Sequence, residues 1–225
     1  MTLLAHAIAA SPPAALSLAG LRGRPLAWSE TGGIGLWSTE WEPDVKLERP
    51  DALEHHRLVE RICAAEPCLP VRFGTAFATA DAARASLDKR AAALRAALAR
   101  VAGKSELALT LLWRERSTPQ AVESAAGPGR QYLEARRAEF DAREARRARA
   151  ESVVEDVIAE LAIERQLVWH ETCTSDNVAV SLAVLVPTEL AGQLKADLAQ
   201  AAARFPDVIP VLNGPWPPYT FARTE

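Results

Sequence analysis

Short apolar runs alternate with stretches of helical period along this chain. Residues 3–9 are apolar except for His6, and the run predicts a strand. Ser11 followed by Pro12-Pro13 is a cap with proline at a helix start, so residues 12–19 predict a short helix. Apolar runs at 25–29 and 34–41 flank Glu30-Thr31-Gly32-Gly33, a hairpin signal. Residues 51–65 follow Pro50 and carry Leu53, Leu58, Val59 and Ile62 at helical spacing. Residues 68–73 read as a short strand. Residues 81–101 predict one helix with Leu87, Leu94, Leu98 and Val101 on one face, stopped by Gly103. Residues 107–113 predict a buried strand.

The second half begins with a linker marked by Ser117-Thr118-Pro119 and Gly127-Pro128-Gly129. The longest element follows, a helix over residues 130–165 that would span roughly 50 Å. Between Asp141 and Glu151 it has no large apolar residue, and Ala135, Ala138, Ala142 and Ala145 make only a thin stripe. Val153, Val154, Val157, Ile158 and Leu161 then make its last third amphipathic. Two readings of its first part stand side by side. One is a solvated helix held by i,i+4 charge pairs, the other a surface for a partner. Strands at 167–172 and 178–186 pair around Ser175-Asp176-Asn177. A helix over 187–204 presents Leu190, Leu194 and Leu198, a last strand covers 208–212, and a proline-rich tail ends the chain.

From residue 107 the order is strand, long helix, strand, strand, helix, strand, the ferredoxin-like split pattern. The first 75 residues show a looser version of it. The expectation is therefore an α+β fold of two units. Residues 1–103 would form an N-terminal α+β domain with its connecting helix. Residues 104–225 would form a C-terminal ferredoxin-like (βαββαβ) domain with a long first helix and the proline-rich tail.

Composition narrows the function classes. Of 225 residues, 49% are hydrophobic and 24% charged, enough to bury a core without metals or disulfides. Lys and Arg number 26 against 29 acids, a net charge of -3, which gives no footprint for nucleic acid. No apolar run reaches the length of a membrane helix. The uncharged start, residues 1–20, lacks a cationic leader and is broken by Pro12-Pro13, so it reads as a strand and not a signal peptide. Cys63, Cys68 and Cys173 are too few for a disulfide framework, which points to the cytoplasm, and the first two read as small core residues.

Catalytic patterns are missing. His55-His56 is the one metal-like cluster, but adjacent helical histidines diverge by about 100° and read as a solvated face. Gly32-Gly33-Ile34-Gly35 leads into a Trp-bearing strand and not a helix, so it lacks the setting of a phosphate loop. No nucleophile elbow and no paired carboxylates on an apolar background are present. The expectation is no enzyme, no metal and no cofactor. A small-molecule-binding or enzymatic ferredoxin-like domain is the alternative, marked by a polar pocket with perturbed histidines or cysteines.

Two stretches remain. Leu69-Pro70-Val71-Arg72-Phe73-Gly74-Thr75 sets an arginine in an apolar strand, where it is either a buried ion tied to an acid or a contact residue. Gly74 permits positive φ. Gly214-Pro215-Trp216-Pro217-Pro218-Tyr219-Thr220-Phe221 is an extended, ladder-free segment that either packs on its own C-terminal domain or serves as a ligand for a groove.

These stretches resemble the gas vesicle protein family GvpF/GvpL. Its members share a Leu-Pro-Val-Arg-Phe-Gly-Thr segment, here residues 69–75, and end in Gly-Pro-Trp-Pro-Pro-Tyr-Ser-Phe or close variants, here residues 214–221 with Thr220 for the serine. Gly103-Lys104-Ser105-Glu106 and Gly129-Arg130-Gln131-Tyr132-Leu133 also match. The chain departs at its start, which reads Leu3-Leu4-Ala5-His6-Ala7 where members often carry a Tyr-rich strand. The resemblance implies a non-enzymatic accessory protein of cytoplasmic gas vesicles. Its partners would be the small hydrophobic shell protein and other accessory proteins, with neither nucleic acid nor membrane. The implied fold has two α+β domains with a ferredoxin-like C-terminal part. Arg72, Phe73, Gly74, Trp216, Pro217, Pro218, Tyr219 and Phe221 are the motif residues that become candidate contacts.

Overall fold

The computed structural model describes residues 1–12, 18–114, 128–173 and 177–223. The expected linker around 117–127 and most of the helix expected over 12–19 lie outside the described residues. The chain divides into two compact units, Met1–Glu106 with Pro215–Glu225, and Leu107–Gly214.

Among the described residues the sheet of the first unit has five strands: β1 (Thr2–Ala9), β2 (Leu26–Thr31), β3 (Ile34–Trp41), β4 (Cys68–Pro70) and β5 (Ala76–Phe77). The sheet order is β2-β3-β1-β4, with β5 also on β1. β1 pairs antiparallel with β3, β4 and β5, and β2 pairs antiparallel with β3. β1 is central, so its residues from Leu3 to Ala9 are all buried, which explains an unbroken apolar run. The pairing of β1 with β3 is irregular between Ala5 and Ala7, and His6 lies at that irregularity. The β2–β3 turn uses Gly32 and Gly33 at φ +57° and +74°, the positive pair that a tight primed turn needs.

α1 (Arg49–Ala65) begins at a capping box in which the Asp51 carboxylate accepts the Glu48 backbone N–H at 2.7 Å. Its buried face is Asp51, His55, Leu58, Val59 and Ile62. Leu53, read as a core position, is instead 62% exposed. The single helix expected over 81–101 is two, α2 (Ala80–Lys89) and α3 (Ala91–Val101). Arg90 at φ -117°, ψ 11° leaves the helical region between them. Leu87, Leu94, Leu98 and Val101 are buried as the periodicity predicts.

The second unit holds β6 (Lys104–Trp113) from Leu107 onward, α4 (Pro128–Glu160), β7 (Val168–Thr172), β8 (Val178–Pro187), α5 (Ala191–Ala202) and β9 (Val208–Trp216) as far as Gly214. Its sheet runs β7-β8-β6-β9. Numbered within the unit, that is 2-3-1-4, the same spatial order as β2-β3-β1-β4 in the first sheet. Both units are thus α+β, and the second is ferredoxin-like. Leu107, Leu109 and Leu111 pack with Val153, Val154 and Val157 of α4 and with Val180, Leu182 and Val184 of β8. α4 stops five residues before its expected end, and Ala162 turns at φ +49°. Its described residues before Ala150 are all exposed or half-buried.

Two tail expectations are corrected. β9 continues through Trp216, so residues 213–216 form strand rather than ladder-free coil. Pro215–Glu225 groups with the first unit and not with a C-terminal domain, because its polar anchors, Arg100 and Glu106, belong there.

Candidate functional site

Residues 69–75 form a braced turn. Leu69 and Pro70 pair with Ile8 and Ala7 of β1. The Val71 N–H then donates to the His6 carbonyl at 2.8 Å. The Arg72 carbonyl accepts from both the Thr75 N–H at 3.1 Å and the Thr75 hydroxyl at 2.7 Å. Gly74 lies at φ +83°, the third position of a turn that demands positive φ. Phe73 packs against the cluster of Leu4, Leu21 and Trp41 and sets its ring edge on His55 at 5.4 Å. Arg72, by contrast, is exposed. The buried-ion reading of Arg72 is therefore wrong. The strand ends at Pro70, and the turn carries the guanidinium out to water.

Beneath this turn lies a directed hydrogen-bond chain. The His55 Nε2 is 3.0 Å from the Val71 carbonyl, which can only accept, so Nε2 carries the proton. In the neutral ring His55 Nδ1 is then an acceptor, and it takes the His6 Nδ1–H at 3.0 Å. His6 Nε2 is left to accept from the Thr39 hydroxyl at 2.8 Å. Thr39 Oγ1 in turn accepts the Leu21 N–H at 3.2 Å. Both tautomers follow from the one carbonyl at the end. Burial, helped by His55 alongside, lowers the His6 pKa to about 3, and burial lowers His55 as well. The solvated-face reading of His55-His56 fails for His55, which is 3% exposed.

His56, the next residue, meets the tail. The Trp216 ring stands edge-on to it at 6.3 Å and the Tyr219 ring stacks on it at 6.1 Å. Burial and the Glu60 charge push the Tyr219 phenol up to about 12. The buried Glu106 carboxylate accepts the Thr220 N–H at 2.7 Å and its hydroxyl at 2.8 Å. Arg100 donates to the Phe221 carbonyl at 2.6 Å, and the Phe221 ring is buried. Pro217 and Pro218 are buried too, while Trp216 remains 38% exposed. The two motif stretches therefore converge on consecutive residues of α1: Phe73 on His55, and Trp216 and Tyr219 on His56.

His6, His55 and Glu106 are the supports that sequence reasoning missed. The available signal was His6 as the one polar residue of an apolar strand. A second was the i,i+4 spacing of Asp51 and His55 on the buried helix face. Asp51 itself is held by Arg22, which donates twice at 2.7 Å and keeps the carboxyl below its usual range.

Elsewhere the chemistry is spare. Among the described residues no group of three or more His, Cys, Asp or Glu could hold a metal ion. Cys63 and Cys68 are joined by a disulfide, Cα atoms 5.2 Å apart, where two reduced core thiols were expected. The chain reverses at Glu66-Pro67 after α1 and brings Cys68 back beside Cys63. A cleft of about 380 Å³ in the second unit is lined by Trp113, Arg114, Arg146, Pro206 and Asp207. It includes neither histidine nor cysteine, and Asp207 is taken by a bidentate pair with Arg149 at 2.8 and 2.9 Å.

Comparison with known proteins bears on all of this. The family described as "Gas vesicle synthesis protein GvpL/GvpF" matches residues 3–223. Gas vesicle protein L2 of Halobacterium salinarum is 36% identical over 68% of this chain and 63% of its own length. The chain thus matches less than two thirds of that relative. The crystal structure of the gas vesicle protein GvpF from Anabaena sp. superposes with TM-score 0.78 at 19% identity, covering 100% of this chain and 99% of that one. GvpF from Microcystis aeruginosa gives 0.76 at 17% identity, with 99% of each chain covered. These two likenesses are likenesses of fold.

Proposed function

We propose that this chain, which belongs to the GvpL/GvpF family of gas vesicle synthesis proteins, is a non-enzymatic accessory protein that binds the small hydrophobic shell protein and other accessory proteins during assembly. The match to the family over residues 3–223 carries this reading. Family membership supports a gas vesicle accessory role, and the partners and the cytoplasmic location are our inference. No described helix is long and apolar enough to cross a membrane.

The physical case is this. A shell subunit that is insoluble alone needs its apolar surface covered until it joins the growing shell. In the first unit both motifs brace α1, and each presents an exposed large side chain to a partner, Arg72 on its turn and Trp216 on the tail. The enzymatic alternative loses support, since all four nitrogens of His6 and His55 are engaged within the protein.

Deletion of the gene in a vesicle-forming host tests the role. Loss of vesicles, restored by the intact chain, is expected. Normal vesicles in the deletion strain would contradict it.

A further inference from the structure

The first part of α4 carries a surface that the motifs do not explain. Tyr132, Leu133 and Phe140 are 63%, 67% and 63% exposed, although the surrounding residues form a ladder of ion pairs. At 3.6 residues per turn these three fall within an arc of about 100°. Arg136, Arg143 and Arg147 fall inside the same arc. No acidic residue between 132 and 147 does. Glu139 stands on one flank, where Arg136 and Arg143 share it, and Glu144 stands on the other. The arc is therefore an apolar stripe interleaved with cations, in which Arg136 and Arg143 share Glu139 and Arg147 pairs with Glu151 one turn on.

We infer that this face of α4 docks an acidic amphipathic helix of a partner protein. The complementarity argues for that occupant. From Leu133 to Arg147 the stripe is about 21 Å long and one helix wide, so it suits an element of three to four turns. Three arginines against the two carboxylates that pair with them leave a positive excess, which calls for carboxylates flanking the partner's apolar residues. A second copy of the same face would bring arginines against arginines. An anionic membrane would meet Glu139 and Glu144 along both borders, and three large side chains anchor weakly in lipid. The site is separate from the α1 motifs, so it stands or falls apart from shell-protein binding.

The test uses the full chain and a fluorescein-labelled peptide of about three heptads, Leu at the a and d positions and Glu elsewhere. Anisotropy should show saturable binding that weakens at least tenfold between about 0.1 M and 1 M salt, as screening predicts. The triple variant Arg136→Glu, Arg143→Glu, Arg147→Glu should bind at least tenfold more weakly, and so should Leu133→Ala with Phe140→Ala. Arg61→Glu, an exposed charge reversal on α1, should bind like the parent. The changed α4 residues are exposed, so circular dichroism should report unaltered folding. Absence of binding by the parent, or equal binding by the triple variant, would overturn the proposal. So would capture by phosphatidylserine vesicles without peptide binding, or self-association abolished by Phe140→Ala.

Discussion

His6 and His55 meet through their Nδ1 atoms at 3.0 Å, so one ring must donate and the other accept. The Val71 carbonyl decides which, because it leaves His55 no choice but to donate from Nε2. The arrangement exists only while both rings are neutral. A proton added to His55 Nδ1 would point at the His6 N–H.

This sets a pH dependence. An imidazole in the unfolded chain titrates near 6.5, whereas His6 in the fold takes a proton only near pH 3. Between those values the unfolded chain binds more protons. Stability is thus complete above about pH 6.5 and falls as the pH drops, by up to about 1.4 kcal/mol per pH unit for each histidine. Ring nitrogen shifts measured by NMR should show His6 fixed as the Nδ1–H tautomer from pH 8 to pH 5, and His55 as the Nε2–H tautomer at pH 8. A His6 ring that titrates near 6.5 would refute the assignment.

The tail should be anchored by Phe221 and Glu106 more than by Trp216. Truncating a buried Phe typically costs about 3–5 kcal/mol, so Phe221→Ala should lower the urea midpoint strongly. Glu106→Ala strands the Thr220 N–H and should cost about 1–3 kcal/mol. Trp216→Ala removes a partly exposed ring and should cost clearly less than Phe221→Ala. The opposite ranking would mean that the tail is held by its aromatic surface.

The turn separates structure from contact. Arg72 is exposed, and Arg72→Ala should change stability by no more than about 0.5 kcal/mol. Gly74→Ala forces a Cβ into positive φ and should cost about 1 kcal/mol or more. If Arg72→Ala instead unfolds the protein, the turn is not the presenting device described above.

The disulfide can be counted. Of three cysteines, only Cys173 is free. Denatured without reductant, the chain should titrate as one thiol, and as three after reduction. Three thiols before reduction would contradict the Cys63–Cys68 bond.

Much of the second unit was legible because its core is periodic. Leu107, Leu109 and Leu111 alternate on β6, and Val153, Val154, Val157 and Ile158 recur at helical spacing, so element types followed directly. The first unit hid its logic in polar burial. Hydropathy favours Leu53 for the core and His55 for water, and the fold reverses them, because His55 finds polar partners in His6 and Val71. Arg72 was misread for a related reason. A strand pattern carried through 73 predicts alternation of faces, but Gly74 and Thr75 close a turn that turns Arg72 outward. The tail's attachment was illegible, since Arg100 and Glu106 lie more than a hundred residues from Thr220 and Phe221 in sequence.

Co-purification of the tagged chain with the shell protein, at low salt and at about 1 M salt, tests the central claim most directly. At that salt the Debye length is about 3 Å and exposed charge attraction is lost. The account predicts a complex that survives both conditions and keeps the shell protein in the soluble fraction, because the shielded surface is apolar. No complex at either salt, with the shell protein still aggregating, would contradict it.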